Sequence, residues 1–134
     1  MYINAPTNSY YNPTISIERG KAVVQIPVKP EFFHAGSAVH GSVYFKALDD
    51  AAYFAVNSLV EDCMMLTVSF TTHMIRPITG GVIRAEGTVV QYGKRVSFAE
   101  AVLYDARNKI CATGNGSFVK SELQLTDAIG YRSA

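Results

Sequence analysis

The chain has 134 residues, 49% of them hydrophobic and 17% charged, with a formal net charge of +1. That length supports one domain around one core, and that composition excludes a disordered or fibrous chain. The near-neutral balance argues against a broad electrostatic footprint for nucleic acid, though it leaves room for a local basic mouth. No apolar run approaches the ~20 residues of a membrane span.

The opening residues, Met1-Tyr2-Ile3-Asn4-Ala5-Pro6, have neither the basic start nor the apolar stretch of a secretory signal. Cys63 and Cys111 are too few for a disulfide framework and lack metal-site spacing. A cytoplasmic protein with reduced thiols is expected, with no nucleic-acid or membrane partner.

Residues 1–13 mix Asn and Pro with tyrosines and read as a loop or weakly ordered arm. Ile15 to Ile17 and Ala22 to Val28 are short strand-like runs split by a turn at Arg19-Gly20. Pro27 and Pro30 end the second run, because proline cannot donate to a sheet ladder. Residues 41–60 form the one convincing helix. Its polar side gathers Ser42, Lys46, Asp49, Asp50, Tyr53 and Asn57, and its apolar arc is wide enough to bury it.

After Asp62 the pattern switches to period two, giving a long strand from Met64 to Ile75 that stops at Arg76-Pro77. Thr79-Gly80-Gly81 reads as a turn, followed by strands Val82 to Gln91, Arg95 to Tyr104 and Ile110 to Val119. Residues 121–134 read as a polar tail with room for one short helical turn. The expected order is two short strands, one long helix and a four-strand antiparallel meander, an α+β domain over residues 14–120.

Chemistry concentrates where residues 33–42 run into the helix. Gly41 and Ser42 open it, so their N–H groups lack helical partners and could hold an anion or a developing oxyanion. The alternative is that His40 or Ser42 simply caps the helix. Asp49 follows His40 by nine residues and borders the apolar face beside Phe45 and Val56. Burial there would raise its pKa, which suits a general base near neutral pH. A structural Asp bonded to a nearby loop fits the same pattern. Asp50 lies deeper in the polar arc, where Lys46 at i−4 can pair with it. His34 and His40 have no third ligand at metal spacing, and His73 on a strand face reads as structural. No nucleophile elbow and no nucleotide-binding glycine fingerprint is present.

His40-Gly41, Asp49 nine residues on, the strand ending in Arg76-Pro77 and Gly93-Lys94-Arg95 together resemble the hotdog-fold acyl-CoA thioesterases of the phenylacetyl-CoA thioesterase (PaaI-like) family. The resemblance spans residues 14–120. It implies a hotdog fold, an antiparallel sheet wrapped around one long central helix, in a homodimer or a dimer of dimers (a homotetramer) with active sites between subunits. It implies hydrolysis of an aryl- or medium-chain acyl-CoA, a substrate and not a cofactor.

By position Asp49 would be nucleophile or base, and the Gly41 amide would polarise the thioester carbonyl. His40 and His34 complete the catalytic set, with Ser42 toward the substrate. Arg76, Lys94 and Arg95 are candidates for the CoA phosphates, the alternative being a solvated hairpin tip. The chain departs from the family pattern in three places. Ser42 stands for a second glycine, His34 for an Asn, and Asp50 for a Thr, Ser or Asn. A non-catalytic acyl-CoA-binding hotdog protein is the alternative, and a hotdog hydratase is disfavoured by the spacing from Gly41 to Asp49.

Overall fold

The computed structural model describes residues 2–124. The elements run α1 (Asn8–Tyr11), β1 (Thr14–Glu18), β2 (Lys21–Pro27), a 3-10 turn (Pro30–Phe32), α2 (Gly41–Asn57), β3 (Cys63–Met74), β4 (Val82–Gln91), β5 (Val96–Tyr104) and β6 (Ile110–Gln124). All six strands join one antiparallel sheet in the order β1-β2-β4-β5-β6-β3. Helix α2 packs against every strand of it. This is the hotdog arrangement.

What lets the sheet close on the helix is the small size of the residues between them. Ala47, Ala51, Ala52 and Ala55 are fully buried along α2, interleaved with Leu48 and Val56. Ala22, Ala85, Ala99 and Ala101 line the sheet side. Contact is closest at Gly87 on β4, where an added Cβ would sit 2.2 Å from the backbone oxygen of Ala51. Larger side chains, among them Ile26, Ile83, Leu103 and Phe118, fill the space around this spine. Each fully buried one of these contributes roughly 1.5–3 kcal/mol.

The helix starts where expected and ends at Asn57, three residues short of the expected Val60. Ser58 Oγ donates to the Ala55 carbonyl oxygen at 2.6 Å, competing with the next helical turn. Asn57, expected on the polar side, is buried, and its Oδ1 accepts the Met65 N–H at 3.1 Å. That bond ties the helix end to the start of β3.

Four further expectations are corrected. First, β3 does not neighbour β4 in a meander. Pro77 and the buried Ile78 pull the link after β3 across the end of the domain, where the Ile78 carbonyl accepts the Val39 N–H at 2.9 Å. The chain then lays β4 beside β2, and β3 becomes the edge strand next to β6. Second, the alternation along β3 is interrupted by a register shift between Thr67 and Ser69. Met65 and Thr67 face the helix before it, and Phe70 after it, its ring 5.6 Å from that of Phe45.

Third, residues 121–124 continue β6, because β3 pairs with it as far as Cys63 opposite Gln124. Residues 125–134 lie outside the described residues. Fourth, the N-terminal arm is docked: Tyr2 and Asn8 are buried, at 8% and 2% exposure. Among the described residues no helix is long and apolar enough to cross a membrane.

Candidate active site

The start of α2 is shaped by its cap. His40 sits in extended backbone, and its Nδ1 accepts the Ser42 N–H at 3.0 Å and lies 2.8 Å from Ser42 Oγ. One imidazole thus satisfies the second N–H of the helix and orients the Ser42 hydroxyl. The Gly41 N–H has no acceptor among the described residues. Directly beside it lies the Met74 side chain, whose Cε would stand 2.5 Å from a Cβ at Gly41. Only glycine fits there without moving Met74.

Asp49 lies half-buried midway along α2, and its Oδ1 accepts the Thr67 hydroxyl at 3.0 Å. Its Oδ2 carries no hydrogen bond among the described residues. Loss of water around the carboxyl raises its pKa to about 6; the Thr67 hydrogen bond opposes this, the Asp50 charge adds to it and Lys46 opposes it. At pH 7 roughly nine in ten such groups are ionised, as a general base requires. The adjacent Asp50 is differently placed. Its Oδ2 takes both the Lys46 ammonium at 2.7 Å and the Tyr2 hydroxyl at 2.7 Å. Tyr53, on the same side of the helix as Asp49, donates its hydroxyl to the Met65 carbonyl oxygen at 2.8 Å, and burial pushes its pKa up to about 12. It is a fixed neutral donor, not an acid.

Asp49 borders a cleft of about 240 Å³ between α2, β3 and the N-terminal arm. Thr67 and the arm residues Tyr2, Ala5 and Thr7 share that cleft, and sequence reading singled out none of them. Thr67 is eighteen positions from Asp49 and Tyr2 forty-eight from Asp50. Contacts that distant leave no mark in local periodicity.

The remaining predicted residues divide between the two ends of the sheet. Thr67 pairs with Phe118 and Phe118 with Ser97, so Asp49 lies at the end carrying the exposed Lys94 and Arg95. Met74 pairs with Ala112 and Ala112 with Leu103, so Gly41 lies at the other end. Arg76 is there too, its Nη1 donating to the Ile110 carbonyl oxygen at 2.8 Å. Between Ser97 and Leu103 the sheet runs roughly 20 Å. His34 is exposed, and its Nδ1 accepts the Gly36 N–H at 2.9 Å within its own loop.

Within one chain, therefore, the carboxylate and the bare amide stay apart. They are eight residues from each other on one straight helix, about 12 Å at 1.5 Å per residue. Among the described residues no group of three His, Cys, Asp or Glu side chains could hold a metal ion.

Comparison with known proteins decides the family. Residues 36–112, which hold the helix start, Asp49, β3 and most of the sheet, match the family model of the thioesterase superfamily. The chain belongs to that superfamily. It is a hydrolase of the thioesterase and esterase class. A protein of Saccharolobus solfataricus named "Putative esterase" is 31% identical over 104 residues, covering 78% of this chain and 74% of its own. One of Sulfurisphaera tokodaii, also named "Putative esterase", is 31% identical over 101 residues, covering 75% and 74%.

Among solved structures, the Escherichia coli PaaI protein from the phenylacetic acid degradation operon superposes with a TM-score of 0.86 at 23% identity, covering 94% of this chain and 91% of that one. A Haemophilus influenzae thioesterase gives a TM-score of 0.82 at 16% identity, covering 90% and 85%. At those identities the two structures speak to the fold.

Proposed function

We propose that this thioesterase-superfamily chain hydrolyses an aryl- or medium-chain acyl-CoA to the free acid and CoA, at sites shared between two copies of the chain. The observation that carries the proposal is the pair of unmatched groups on α2. Among the described residues one oxygen of the half-desolvated Asp49 has no donor and the Gly41 N–H has no acceptor, and some 12 Å of helix separates them. A thioester cannot bridge that distance within one chain, so the two groups serve one substrate only if they come from different protomers.

The free edge of β3 supports such a pairing. Among the described residues it bonds to β6 alone, and Leu66, Val68 and Met74 along it are 55%, 63% and 55% exposed. Two copies pairing antiparallel along this edge, centred near Phe70 and Thr71, would set Thr67 of one opposite Met74 of the other. Thr67 marks Asp49 and Met74 marks Gly41, so each carboxylate would then approach the helix start of the other protomer. The same pairing would bring Lys94 and Arg95 of one copy toward Arg76 of the other, a cationic mouth for the CoA phosphates.

In the general-base route Asp49 takes a proton from water as the water oxygen bonds to the thioester carbon. The carbonyl oxygen gains the electron pair and is held by the Gly41 N–H. Collapse then breaks the C–S bond, and CoA leaves as the thiolate, which takes up a proton. In the nucleophilic route the Asp49 carboxylate attacks the thioester carbon, and the C–S bond breaks as CoA leaves as the thiolate. Water then hydrolyses the resulting anhydride to the free acid and the Asp49 carboxylate.

The test is release of free thiol from a panel of acyl-CoAs, with Asp49→Asn losing turnover. Unchanged turnover in that variant removes Asp49 from the reaction. No turnover by the unaltered protein on any acyl-CoA, with CoA ligands still raising its melting temperature, would instead favour the non-catalytic binding protein.

A further inference from the structure

The N-terminal arm is built into the domain more firmly than a cover needs. Tyr2 stands edge-on to Phe54 with ring centroids 5.0 Å apart, while its hydroxyl reaches Asp50. Asn8 Nδ2 donates to the Tyr2 carbonyl oxygen at 2.7 Å, so α1 holds the Tyr2 backbone in place. Lys46, already paired with Asp50, also lies 5.4 Å from the Tyr2 ring and 5.3 Å from that of Tyr11. Further along, Lys29 bonds the Tyr10 carbonyl, and the Tyr10 hydroxyl donates to the Glu31 carbonyl oxygen at 3.0 Å.

The arm fastened in this way faces the cleft that Asp49 borders. Tyr2, Ala5 and Thr7 line it from the arm, Met65 and Leu66 from β3, and Tyr53 from α2 with Asp49. Its apolar lining comes from Tyr2, Ala5, Tyr53, Phe54, Met65 and Leu66, and the charged Lys46 and Asp50 that also border it are paired with each other. The volume of about 240 Å³ equals that of about eight liquid waters. The cleft is largely open to solvent, and an acyl group of about that many non-hydrogen atoms has room to lie in it.

We infer that the N-terminal arm, fastened through Tyr2, is the wall of the acyl pocket and limits the acyl group this enzyme admits. The inference rests on the proposed role of Asp49, because the cleft is an acyl pocket only if the adjacent carboxylate acts on the thioester. Tyr2 and Thr7 are specificity-determining residues here and take no part in the reaction. Selectivity should follow their bulk in both directions.

The experiment compares kcat/KM for butyryl-, octanoyl- and dodecanoyl-CoA in the unaltered protein, Tyr2→Ala, Thr7→Phe and Asp49→Asn. Tyr2→Ala opens the wall and is expected to raise the dodecanoyl-to-octanoyl ratio about tenfold. Thr7→Phe narrows the cleft and should lower the octanoyl-to-butyryl ratio by about as much, given what single methylenes are worth in apolar pockets. Thr7 is exposed and its side chain does not cap α1, so that variant keeps the fold and decides the matter if Tyr2→Ala does not fold.

Ratios within twofold of the unaltered protein in the folded variants overturn the inference. A dead Asp49→Asn with unmoved ratios removes the arm alone from the specificity machinery. An Asp49→Asn that turns over normally removes the active-site reading beneath it as well.

Discussion

Replacing Asp49 with Asn should make the protein more stable as it makes it inactive, and the gain should depend on pH. The carboxyl has an ordinary pKa of 3.8 in an open chain and about 6 in the fold, principally because burial penalises its charged form. Well below pH 3.8 it is protonated in both states and the substitution changes little. Between pH 4 and 6 the unfolded chain loses the proton while the folded one keeps it, so stability falls as pH rises. Above pH 6 both are ionised and the deficit is constant.

Two pKa units at ~1.36 kcal/mol each set a ceiling of about 3 kcal/mol on that deficit. Asparagine has no charge to desolvate, and its Oδ1 can still accept the Thr67 hydroxyl. About 1–3 kcal/mol of stabilisation at pH 8 is expected, read as a rise of roughly 3–10 °C in Tm. The assay is thermal or urea unfolding of both proteins from pH 4 to pH 8 at one fixed protein concentration, since assembly also shifts Tm. A stability difference that is the same at pH 4 and pH 8 would refute the view that Asp49 is held desolvated.

Other consequences follow from single contacts. Gly87→Ala would drive a Cβ into the backbone of α2 at Ala51, and about 3 kcal/mol should be lost, read as a fall in the urea midpoint. An unchanged midpoint would mean that β4 does not approach the helix as closely as described. Lys94→Ala with Arg95→Ala should raise KM for acyl-CoA about tenfold while leaving KM for a phosphate-free N-acetylcysteamine thioester unchanged. An equal rise for both substrates would deny the two cations a role in holding phosphate. Gly41→Pro removes the bare N–H at a position where proline suits a helix start, after a residue already in extended backbone. Paired with Met74→Ala to make room, it should keep the helix by circular dichroism yet lose roughly 10²–10³ in kcat.

The elements that were legible in the sequence are those decided by local pattern. Helix α2 and strands β4 and β5 declared themselves through period and through the glycines and prolines between them. The half-buried place of Asp49 could be read from helix position alone, and Asp50 could be matched with Lys46 at i−4. What the sequence hid was decided by contacts far along the chain. The alternation in β3 gave no warning of the shift near Val68, since an extra residue is invisible until a partner strand sets the register. Thr79-Gly80-Gly81 looked like a hairpin turn because the burial of Ile78, which carries the chain across the domain, is a tertiary event. The arm's polar, proline-containing composition said loop, and its docking depends on Tyr2 meeting Asp50 and Phe54. Lys94, Arg95 and Arg76 looked like one cationic set and lie at opposite ends of one sheet.

The shared site can be tested by mixing two inactive proteins. Asp49→Asn keeps the Gly41 amide, and Gly41→Pro with Met74→Ala keeps the carboxylate, so a dimer of one of each contains a single intact pair. Unfolding and refolding equal amounts together should restore about a quarter of the unaltered activity, because half the dimers are mixed and each has one working site of two. Activity no greater than that of the separate variants, in a mixture shown to contain mixed dimers, would contradict a site built from two chains.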